Sequence, residues 1–491
     1  MGAATKAGYA DVLVGLQYGD EGKARVVDHL AAGYDVIARF NGGANAGHTI
    51  ATPDGPLRLR QVPSGVLHPG VALYIGSGCV VGLQQLAAEI AMLAAQGISL
   101  DGRLTISDRC PLVQPRHVLA DRRDGARIGT TGNGIGPCYA DLAARMQGSE
   151  RVAFQLRDLL CDDSRVFEQM TRLAGRDGDD GDDIAAMVDG MRRAWAAIRP
   201  FVTDDAVALL RRVEAGARVL FEGAQSVMLD VVHGVQPWVT SSHTLPAYAY
   251  VGGDLPCRYH RKAIGVAKAI VSRVGGGPLP TELGGPRSEA YCAAAAHAGR
   301  GRADEAASHD PLALLAEGDA FATGVAIRML AKEYGTGTGR PRRVGLLDVA
   351  QLRLAIQQAG VDEVYLNKCD SLAAFAHTPE HCIPVVVGET GGTGQRVLRF
   401  PAFGEHAIPT GAASPLPPQL EALLEWLAQA IGRPLRGIGL GPERAQMRLL
   451  EPNQHTTPHH DKHDPCLSAQ RNAPDRPGLD RLAGHRSLPE K

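Results

Sequence analysis

Two short glycine-rich segments, each directly after an apolar run, constrain the fold of this chain more than any other feature. The run Asp11–Leu16 leads into Gly15–Lys23 (GLQYGDEGK), and Tyr34–Phe40 leads into Asn41–Thr49 (NGGANAGHT). Each run predicts a buried strand, and Arg25–Ala32 predicts the helix that follows the first. Strands that alternate with helices favour a mainly parallel sheet with helices on both faces. Ligands on such sheets bind beyond the carboxyl ends of the strands, where these segments lie.

The same alternation continues toward the C-terminus. Leucines at helical spacing predict helices over Leu83–Leu93 and Gln419–Ile431. Short apolar runs predict further strands at Leu73–Ile75, Arg218–Phe221, Glu363–Leu366 and Ile383–Val387. We therefore expect an α/β fold with a large, mainly parallel central sheet, similar to P-loop NTPases but without a true Walker A sequence.

Composition narrows the class of protein. The 491 residues include 59 glycines without a collagen period, and the formal net charge is −2, which argues against general binding of nucleic acid or of a membrane surface. We expect no transmembrane helix and no signal peptide. The nine cysteines are scattered and form no C-x-x-C pair, which indicates reduced thiols in a cytoplasmic protein.

Segments with little apolar patterning are expected outside the core. We predict one domain over residues 1–450, an excursion at Gly284–Ala322 that is mobile or partly helical, and a disordered tail at Glu451–Lys491. The acidic stretch Arg176–Asp183 fails the EF-hand register, because Gly181 occupies the fifth ligand position, and is expected to be a solvated loop.

The segment Gly15–Lys23, called the Asp20 loop below, has the parts of a phosphate-binding loop. The pattern G-x-x-x-x-G-K-[ST] fails twice, because Gln17 replaces the first glycine and Ala24 follows the lysine. Glycine backbone N–H groups, a helix N-terminus and one lysine still suit a phosphate. Asp20 and Glu21 add carboxylates, which suggests a Mg²⁺ ligand or a base near phosphates. An ordinary strand–helix turn is the alternative.

The segment Asn41–Thr49, called the histidine segment, contains His48 near its end. A histidine in a glycine-rich loop after a strand has few side chains to pack against, so we expect it at a functional site rather than in the core. Together with Asp20 it supplies the acid and the base that a transfer reaction needs.

Further motifs suit a nucleotide. Gly129–Pro137 (GTTGNGIGP) combines glycines with hydroxyls, and Phe221–Gln225 (FEGAQ) precedes Asp230 and Val239–Ser242 (VTSS). Tyr334–Arg343 (YGTGTGRPRR), called the arginine segment, offers guanidinium groups that can hold a carboxylate or phosphate bidentately. A solvated basic turn is the alternative there.

The motif Asn367–Asp370 (NKCD) follows a predicted strand. In GTP-binding proteins N-K-x-D reads guanine, because the aspartate accepts hydrogen bonds from ring N1 and the exocyclic amine, which adenine does not offer. The motif therefore favours GTP over ATP.

In this order, the motifs resemble those of the adenylosuccinate synthetase family, GTP-dependent ligases that join IMP and aspartate. The resemblance runs from about Asp11 to about Leu450. The motifs that carry it are GDEGK (Gly19–Lys23), NAGHT (Asn45–Thr49), IGTTGxGIGP (Ile128–Pro137), FEGAQ (Phe221–Gln225), VTSS (Val239–Ser242), RVGGGPLPTEL (Arg273–Leu283), GTGTGRPRR (Gly335–Arg343), NKCD (Asn367–Asp370) and GLGPER (Gly439–Arg444).

The resemblance implies a role for single residues. Asp20 would remove the N1 proton of IMP and bind Mg²⁺, with the carbonyl of Gly47 as a second metal ligand, and His48 would be the general acid near the β-phosphate. Lys23 and Gln225 would complete the catalytic set. The implied contacts to IMP or aspartate are Asp20, Glu21, Gly22, Lys23, Asn45, Ala46, Gly47, His48, Thr131, Arg145, Gln225, Thr240, Thr336, Gly337, Thr338, Gly339, Arg340, Pro341 and Arg342. The implied contacts to GTP are Gly19, Asp20, Glu21, Gly22, Lys23, Ala24, Arg25, Gly47, His48, Thr49, Arg342, Lys368, Cys369, Asp370, Gly439, Leu440 and Gly441.

The resemblance also implies partners and a reaction course. GTP would be the co-substrate, with one Mg²⁺ per subunit, and 6-phosphoryl-IMP would be the intermediate that aspartate attacks. Arg145 would reach the nucleotide of the other subunit of a homodimer. Neither nucleic acid nor a membrane is an expected partner.

Several positions depart from the family's usual pattern. The excursion Gly284–Ala322 is longer than expected, and single substitutions occur at Tyr18, Ala24, Asn133, Ser226, Pro341 and Gly439. Two alternatives to the family reaction stay open: ligation of another purine nucleotide such as dGMP, and a catalytically silent GTP-binding paralogue. Relatives that use dGMP replace the base, whereas Asp20 is present here.

Overall fold

The computed structural model describes residues 7–125, 129–176, 181–335, 339–389, 395–409 and 414–450. The strands in these residues are β1 (Tyr9–Gly15), β2 (Val36–Arg39), β3 (His48–Thr52), β4 (Gly55–Leu59), β5 (Ala72–Ile75), β6 (Leu104–Ser107), β7 (Met146–Gln147), β8 (Glu150–Arg151), β9 (Val202–Thr203), β10 (Arg218–Ser226), β11 (His260–Lys268), β12 (Val271–Arg273), β13 (Arg343–Gly345), β14 (Glu363–Asn367), β15 (Cys382–Glu389), β16 (Gln395–Pro401), β17 (Leu435–Gly439) and β18 (Met447–Leu449).

The α-helices are distributed along the whole described chain. They are α1 (Lys23–Leu30), α2 (Leu83–Ala95), α3 (Pro115–Asp124), α4 (Ile135–Ala144), α5 (Leu156–Arg176), α6 (Gly181–Ile198), α7 (Ala208–Glu214), α8 (Tyr248–Gly252), α9 (Gly285–His297), α10 (Arg302–Ser308), α11 (Pro311–Ala316), α12 (Ala320–Leu330), α13 (Val349–Ala359) and α14 (Pro418–Ile431). Among the described residues, no helix is both long and apolar enough to cross a bilayer.

One large sheet forms the centre of the fold. Of the described strands, ten belong to it, in the order β18-β17-β14-β11-β1-β10-β2-β5-β6-β9. Neighbouring strands run parallel except at the β17–β18 edge. The predicted fold class, a large and mainly parallel sheet covered by helices, is confirmed.

Strand β1 lies in the middle of the sheet and is buried on both faces. Val12 and Val14 belong to the apolar core on one side, and Leu13 belongs to the core on the other. Side chains in a strand point alternately to opposite faces, so a central strand between two cores is apolar on both faces, here over Val12–Val14. This accounts for the unbroken apolar run that predicted the strand.

The register of the sheet brings several strand ends to one edge. Gly15 pairs with Ser226 between β1 and β10, and Lys268 pairs with Asn367 between β11 and β14. Arg39, the last residue of β2, pairs with Glu222 of β10. The Asp20 loop, the histidine segment and the NKCD motif therefore leave the sheet at the same edge.

Three peripheral predictions differ from the structure or fall outside it. The strand predicted at Ile383–Val387 is present as β15, but it pairs antiparallel with β16 outside the central sheet. The stretch predicted as a solvated loop at Arg176–Asp183 is helical at both described ends, because α5 ends at Arg176 and α6 begins at Gly181. Aspartates in the first turn of α6 favour the helix through its dipole. The predicted tail Glu451–Lys491 lies outside the described residues.

The predicted excursion Gly284–Ala322 is helical. Helices α9, α10 and α11 and the start of α12 account for most of it. Asp310 and Asp319 cap the last two of these helices, each accepting a hydrogen bond from a backbone N–H in the first turn. The sequence left open whether the excursion is mobile or partly helical, and the structure shows helices.

Candidate active site

The Asp20 loop connects β1 to α1 through residues with left-handed backbone. Gly19 (φ 91°), Asp20 (φ 57°) and Gly22 (φ 82°) all have positive φ, a region that glycine, asparagine and aspartate adopt most readily. A β-carbon at Gly22 would lie 2.8 Å from the amide nitrogen of Asn367. That amide donates to the carbonyl of Glu21 at 2.7 Å. The NKCD motif therefore holds the loop from the side of β14.

Glu21 organises the same loop from inside. Its carboxylate accepts hydrogen bonds from the backbone N–H groups of Gln17 (3.1 Å) and Gly19 (2.9 Å) and from Nζ of Lys23 (2.8 Å). The hydroxyl of Ser226 donates to this carboxylate at 2.5 Å and accepts the Gly19 N–H at 3.0 Å. Burial favours the neutral acid, but Lys23, the hydrogen bond from Ser226 and the charge of Lys268 together outweigh it and lower the pKa of Glu21. Glu21 and Lys23 thus form a buried ion pair that shapes the loop.

Asp20 has the more accessible carboxylate of the loop. Its side chain is 30% exposed, and Oδ2 lies 2.6 Å from Nη2 of Arg342 in the arginine segment. Arg342 is buried and also donates from Nη1 to Oε2 of Glu333 at 2.8 Å. Arginine can bridge two carboxylates because its donors form a rigid, planar fork. Arg342 therefore joins the predicted base to a second, fully buried carboxylate.

Glu333 brings together cations from several elements. Its carboxylate lies within reach of Nζ of Lys268 (3.1 Å), the hydroxyl of Ser272 (2.7 Å) and Nζ of Lys368 (3.2 Å). Burial alone would raise the pKa of this carboxyl, but Lys268, Arg342 and Lys368 hold the pKa well below its usual range. Lys368 belongs to the NKCD motif, so one carboxylate connects that motif to the arginine segment. Sequence reasoning missed Glu333, whose only signal was its position just before that segment.

His48 is packed inside the protein, which corrects the prediction that few side chains surround it. It begins β3, its side chain is 4% exposed, and Nδ1 lies 2.7 Å from Oε1 of Glu222 on β10. Ser64 donates its hydroxyl (2.5 Å) and its backbone N–H (2.8 Å) to the same carboxylate. The prediction was wrong because β10 and the chain after β4 bring a carboxylate and a hydroxyl to the histidine, and these partners are distant in sequence.

Charges around His48 determine its ionisation. Burial opposes ionisation of Glu222, but His48, Arg39 and the hydrogen bond from Ser64 outweigh it and lower the pKa of Glu222 to about 2. Burial lowers the pKa of the His48 imidazole, and Glu222 opposes that shift. With Nδ1 engaged by Glu222, the ring has Nε2 left for a proton transfer. Glu222 belongs to the FEGAQ motif. Its charge, directly after the apolar run of a predicted strand, was the sequence feature that could have indicated a partner for His48.

Oε1 of Gln225 and Oδ1 of Asp370 are among the buried polar atoms that have no hydrogen-bond partner within the described residues. Because buried polar atoms are nearly always paired in proteins, and because both residues belong to predicted binding motifs, these two atoms suit contacts to a ligand. Burial raises the pKa of Asp370, with Lys368 and Arg25 opposing the shift. Asp370 can therefore accept hydrogen bonds from a base that supplies two donors.

The end of β17 lies close to the NKCD motif. A β-carbon at Gly439 would be only 2.5 Å from Oδ1 of Asn367, so the glycine at this position leaves room for that side chain. Arg25 of α1 donates to the carbonyls of Gly441 and Glu443. These contacts tie the predicted guanine-binding residues to the helix that follows the Asp20 loop.

The loop that contains Thr131 contacts the histidine segment. Asn133 donates to the hydroxyl of Thr131 at 2.9 Å and to the carbonyl of Ala44 at 3.3 Å. In the histidine segment, Oδ1 of Asn45 accepts the backbone N–H of Gly43 at 3.0 Å. The two loops that were predicted to hold one nucleotide are therefore neighbours.

The structure also locates Arg145, Thr240 and part of the arginine segment. Arg145 follows α4 and is exposed (φ 65°). The backbone N–H of Thr240 donates to the carbonyl of Leu229 at 2.8 Å. In the arginine segment, Arg340 and Pro341 are described, while Thr336, Gly337 and Thr338 lie outside the described residues.

A magnesium site would need a nucleotide to complete it. In the described part of the chain, no group of three or more His, Cys, Asp or Glu side chains could hold a metal ion. Mg²⁺ usually keeps several waters and is bound by one or two carboxylates together with substrate phosphates. The partly exposed carboxylate of Asp20 suits that kind of site, so the residues present fit a Mg²⁺ that is shared with phosphates.

Sequence comparisons give consistent matches. The family model described as adenylosuccinate synthetase matches residues 12–448. A relative named adenylosuccinate synthetase 2, from Cupriavidus pinatubonensis, is 78% identical over 451 residues, which is 92% of this chain and 99% of the relative. The adenylosuccinate synthetase of Paraburkholderia phytofirmans is 34% identical over 463 residues, covering 89% of this chain and 96% of the relative.

Solved structures share the fold. The fully ligated adenylosuccinate synthetase from Plasmodium falciparum superposes with a TM-score of 0.73 at 26% identity, covering 90% of this chain and 100% of that one. The succinoaminodeoxyadenylate synthetase of cyanophage S-2L, bound to dGMP and to dATP as energy donor, has a TM-score of 0.54 at 19% identity, covering 90% and 96%. At that identity the second match concerns the fold alone.

Proposed function

The chain belongs to the adenylosuccinate synthetase family and is a ligase that joins IMP and L-aspartate into adenylosuccinate while GTP is split into GDP and phosphate, and we propose that Asp20 is its base and His48 its acid. The observation that supports this assignment is the contact of Asp20 with Arg342, which Glu333 connects to Lys368 of the NKCD motif. A base, an arginine segment and a guanine-type motif then belong to one cluster of charges.

The chemistry suits these residue types. The C6 oxygen of IMP is a poor nucleophile until the N1 proton is lost, and Asp20 accepts that proton. The γ-phosphoryl group of GTP passes to this oxygen, and His48 donates a proton on the β-phosphate side as GDP leaves. The aspartate amine then attacks C6 and displaces phosphate. Lys23, Gln225 and the arginine segment position the substrates.

Mg²⁺ is part of the proposal. Asp20 and the carbonyl of Gly47 would hold it beside the phosphates, and when bound it would neutralise charge that develops during phosphoryl transfer. Asp370 would accept hydrogen bonds from guanine. We also propose a cytoplasmic homodimer in which Arg145, exposed after α4, reaches the nucleotide of the other subunit.

A phosphate-release assay tests the substrates. Purified enzyme is incubated with aspartate and Mg²⁺, with IMP, GMP or dGMP as acceptor and GTP or ATP as donor, and the product is identified by mass. We expect release and adenylosuccinate only with IMP and GTP. Release that requires dGMP would contradict the choice of nucleotide, and binding of GTP and IMP without any release would contradict a catalytic role.

A further inference from the structure

A buried carboxylate in the helical excursion has no role in the reaction described above. Glu305 lies on α10, whose other side chains are largely exposed, yet Glu305 itself is 4% exposed. Its carboxylate accepts from Nε and Nη2 of Arg328 on α12, the shortest contact being 2.7 Å. Burying a carboxylate is costly unless charge and hydrogen bonds compensate it. Arg328, 1% exposed, supplies both.

The same carboxylate also holds one end of the arginine segment. The hydroxyl of Tyr334, the first residue of that segment, donates to Oε2 of Glu305 at 2.5 Å. Burial and Glu305 together raise the pKa of Tyr334, so the hydroxyl keeps its proton and remains a donor at neutral pH. The residues that follow Tyr334 in the arginine segment are those for which contacts to IMP or aspartate were predicted.

The other end of the segment is held through Arg328. Its Nη1 donates to the backbone carbonyl of Arg342 at 3.0 Å, while the side chain of Arg342 contacts Asp20. The two ends also contact each other, because Tyr334 and Pro341 form an antiparallel bridge and the N–H of Gly335 donates to the carbonyl of Arg340 at 2.8 Å. Glu305 and Arg328 therefore form a single brace across the base of the segment.

We propose that Glu305 is a positioning residue for substrate binding: through Tyr334 and Arg328 it fixes the two ends of the arginine segment, and so it sets the affinity of the enzyme for aspartate. The helical excursion is then a functional part of the enzyme, because α10 presents this carboxylate. Glu305 acts through other side chains and contacts no substrate itself. The inference rests on the proposed function, in which the arginine segment positions the substrates, and it assigns aspartate to that segment.

Two variants and a matched control test the proposal. Glu305→Gln keeps the shape of the side chain but removes its charge, whereas Tyr334→Phe removes only the hydrogen bond to the arginine segment and leaves the Glu305–Arg328 pair intact. Glu317→Gln alters an exposed glutamate in the same excursion and serves as control. The measurements are KM for aspartate, KM for GTP, kcat and the melting temperature of the full-length chain.

We expect the KM for aspartate to rise about tenfold in Glu305→Gln and severalfold in Tyr334→Phe, the change that loss of a hydrogen bond to a charged group produces. The kcat at saturating aspartate stays within about twofold. The KM for GTP also stays within about twofold in Tyr334→Phe, which leaves the contact of Arg328 with Arg342 intact. If Tyr334→Phe folds and keeps the wild-type KM for aspartate, the proposal is overturned. This conclusion holds even if Glu305→Gln fails to fold. A lower kcat with unchanged KM overturns it as well. A wild-type enzyme that releases no phosphate would instead refute the proposed function.

Discussion

Asp20 and His48, the two groups assigned to proton transfer, are held in contrasting ways. His48 is 4% exposed and contacts Glu222, which lies on a central strand. The side chain of Asp20 is 30% exposed, and its contact is Arg342, which lies in a loop segment. The acid is therefore positioned by the core of the sheet, whereas the base is positioned by a segment that also has to admit substrate.

We expect this difference to separate effects on the stability of the fold from effects on enzyme activity. Removing Glu222 leaves the buried ring of His48 without its anionic partner, so both folding and activity should suffer. Removing a partner of Asp20 leaves a carboxylate that water can reach, so activity should suffer more than folding. Four sets of variants test this contrast.

The largest effect is expected from Asp20→Asn. Loss of the base and of a Mg²⁺ ligand should lower phosphate release at least about 10³-fold, while the melting temperature changes little because the side chain is partly exposed. Phosphate release and thermal unfolding are measured beside Asp101→Asn, an exposed aspartate in a turn. Near-normal turnover of Asp20→Asn would refute the assignment of the base.

Glu222→Gln should lower both activity and stability. We expect kcat to fall about 10²-fold, because His48 loses the anion that orients its ring. The folded pKa of Glu222 lies below its ordinary value, so the ionised carboxylate adds to stability at neutral pH and Gln should lose that contribution. Urea unfolding at pH 7 measures this loss.

The pH dependence of this loss has a definite sign. The folded pKa of Glu222 is lowered, so its contribution is complete above about pH 4.5 and is lost as the pH falls toward about 2. The difference in unfolding free energy between wild type and Glu222→Gln should therefore shrink between pH 4.5 and pH 3. A difference that stays constant over this range would show that charge on Glu222 is not its source.

Arg342→Lys should affect activity more than stability. Lysine keeps a positive charge but cannot bridge Asp20 and Glu333 as the planar guanidinium does, and Lys268 and Lys368 still compensate Glu333. We expect the KM for GTP to rise about tenfold with a small change in melting temperature. A large loss of stability with an unchanged KM would reverse the contrast between the two regions.

The smallest effect is expected at Ser226. In Ser226→Ala, the Gly19 N–H loses one acceptor but keeps the carboxylate of Glu21 at 2.9 Å, so the KM values for IMP and GTP should rise no more than about threefold. Ser226→Gly, which removes the whole side chain, is the companion variant. A change of 10²-fold in either would mean that the loop depends on this hydroxyl far more than on Glu21.

Sequence alone predicted the mainly parallel sheet, five of its ten described strands and the loops at one edge, because buried parallel strands are continuous apolar runs that end in glycine. It could not predict the partners of the catalytic groups. Glu222 reaches His48, and Glu333 reaches Arg342 and Lys368, only through the order and register of strands that are far apart in the chain. The packing of His48 was predicted wrongly for this reason. Thr336, Gly337 and Thr338 lie outside the described residues, so their predicted contacts stay predictions.

The left-handed backbone of Asp20 (φ 57°) bears on how this enzyme can evolve. Asparagine and glycine tolerate the same conformation, and a single base change in an aspartate codon yields either of them. The loop can thus lose its carboxylate in one genetic step without losing its shape. A lineage with such a replacement would keep a folded nucleotide-binding protein on which selection could act for another acceptor.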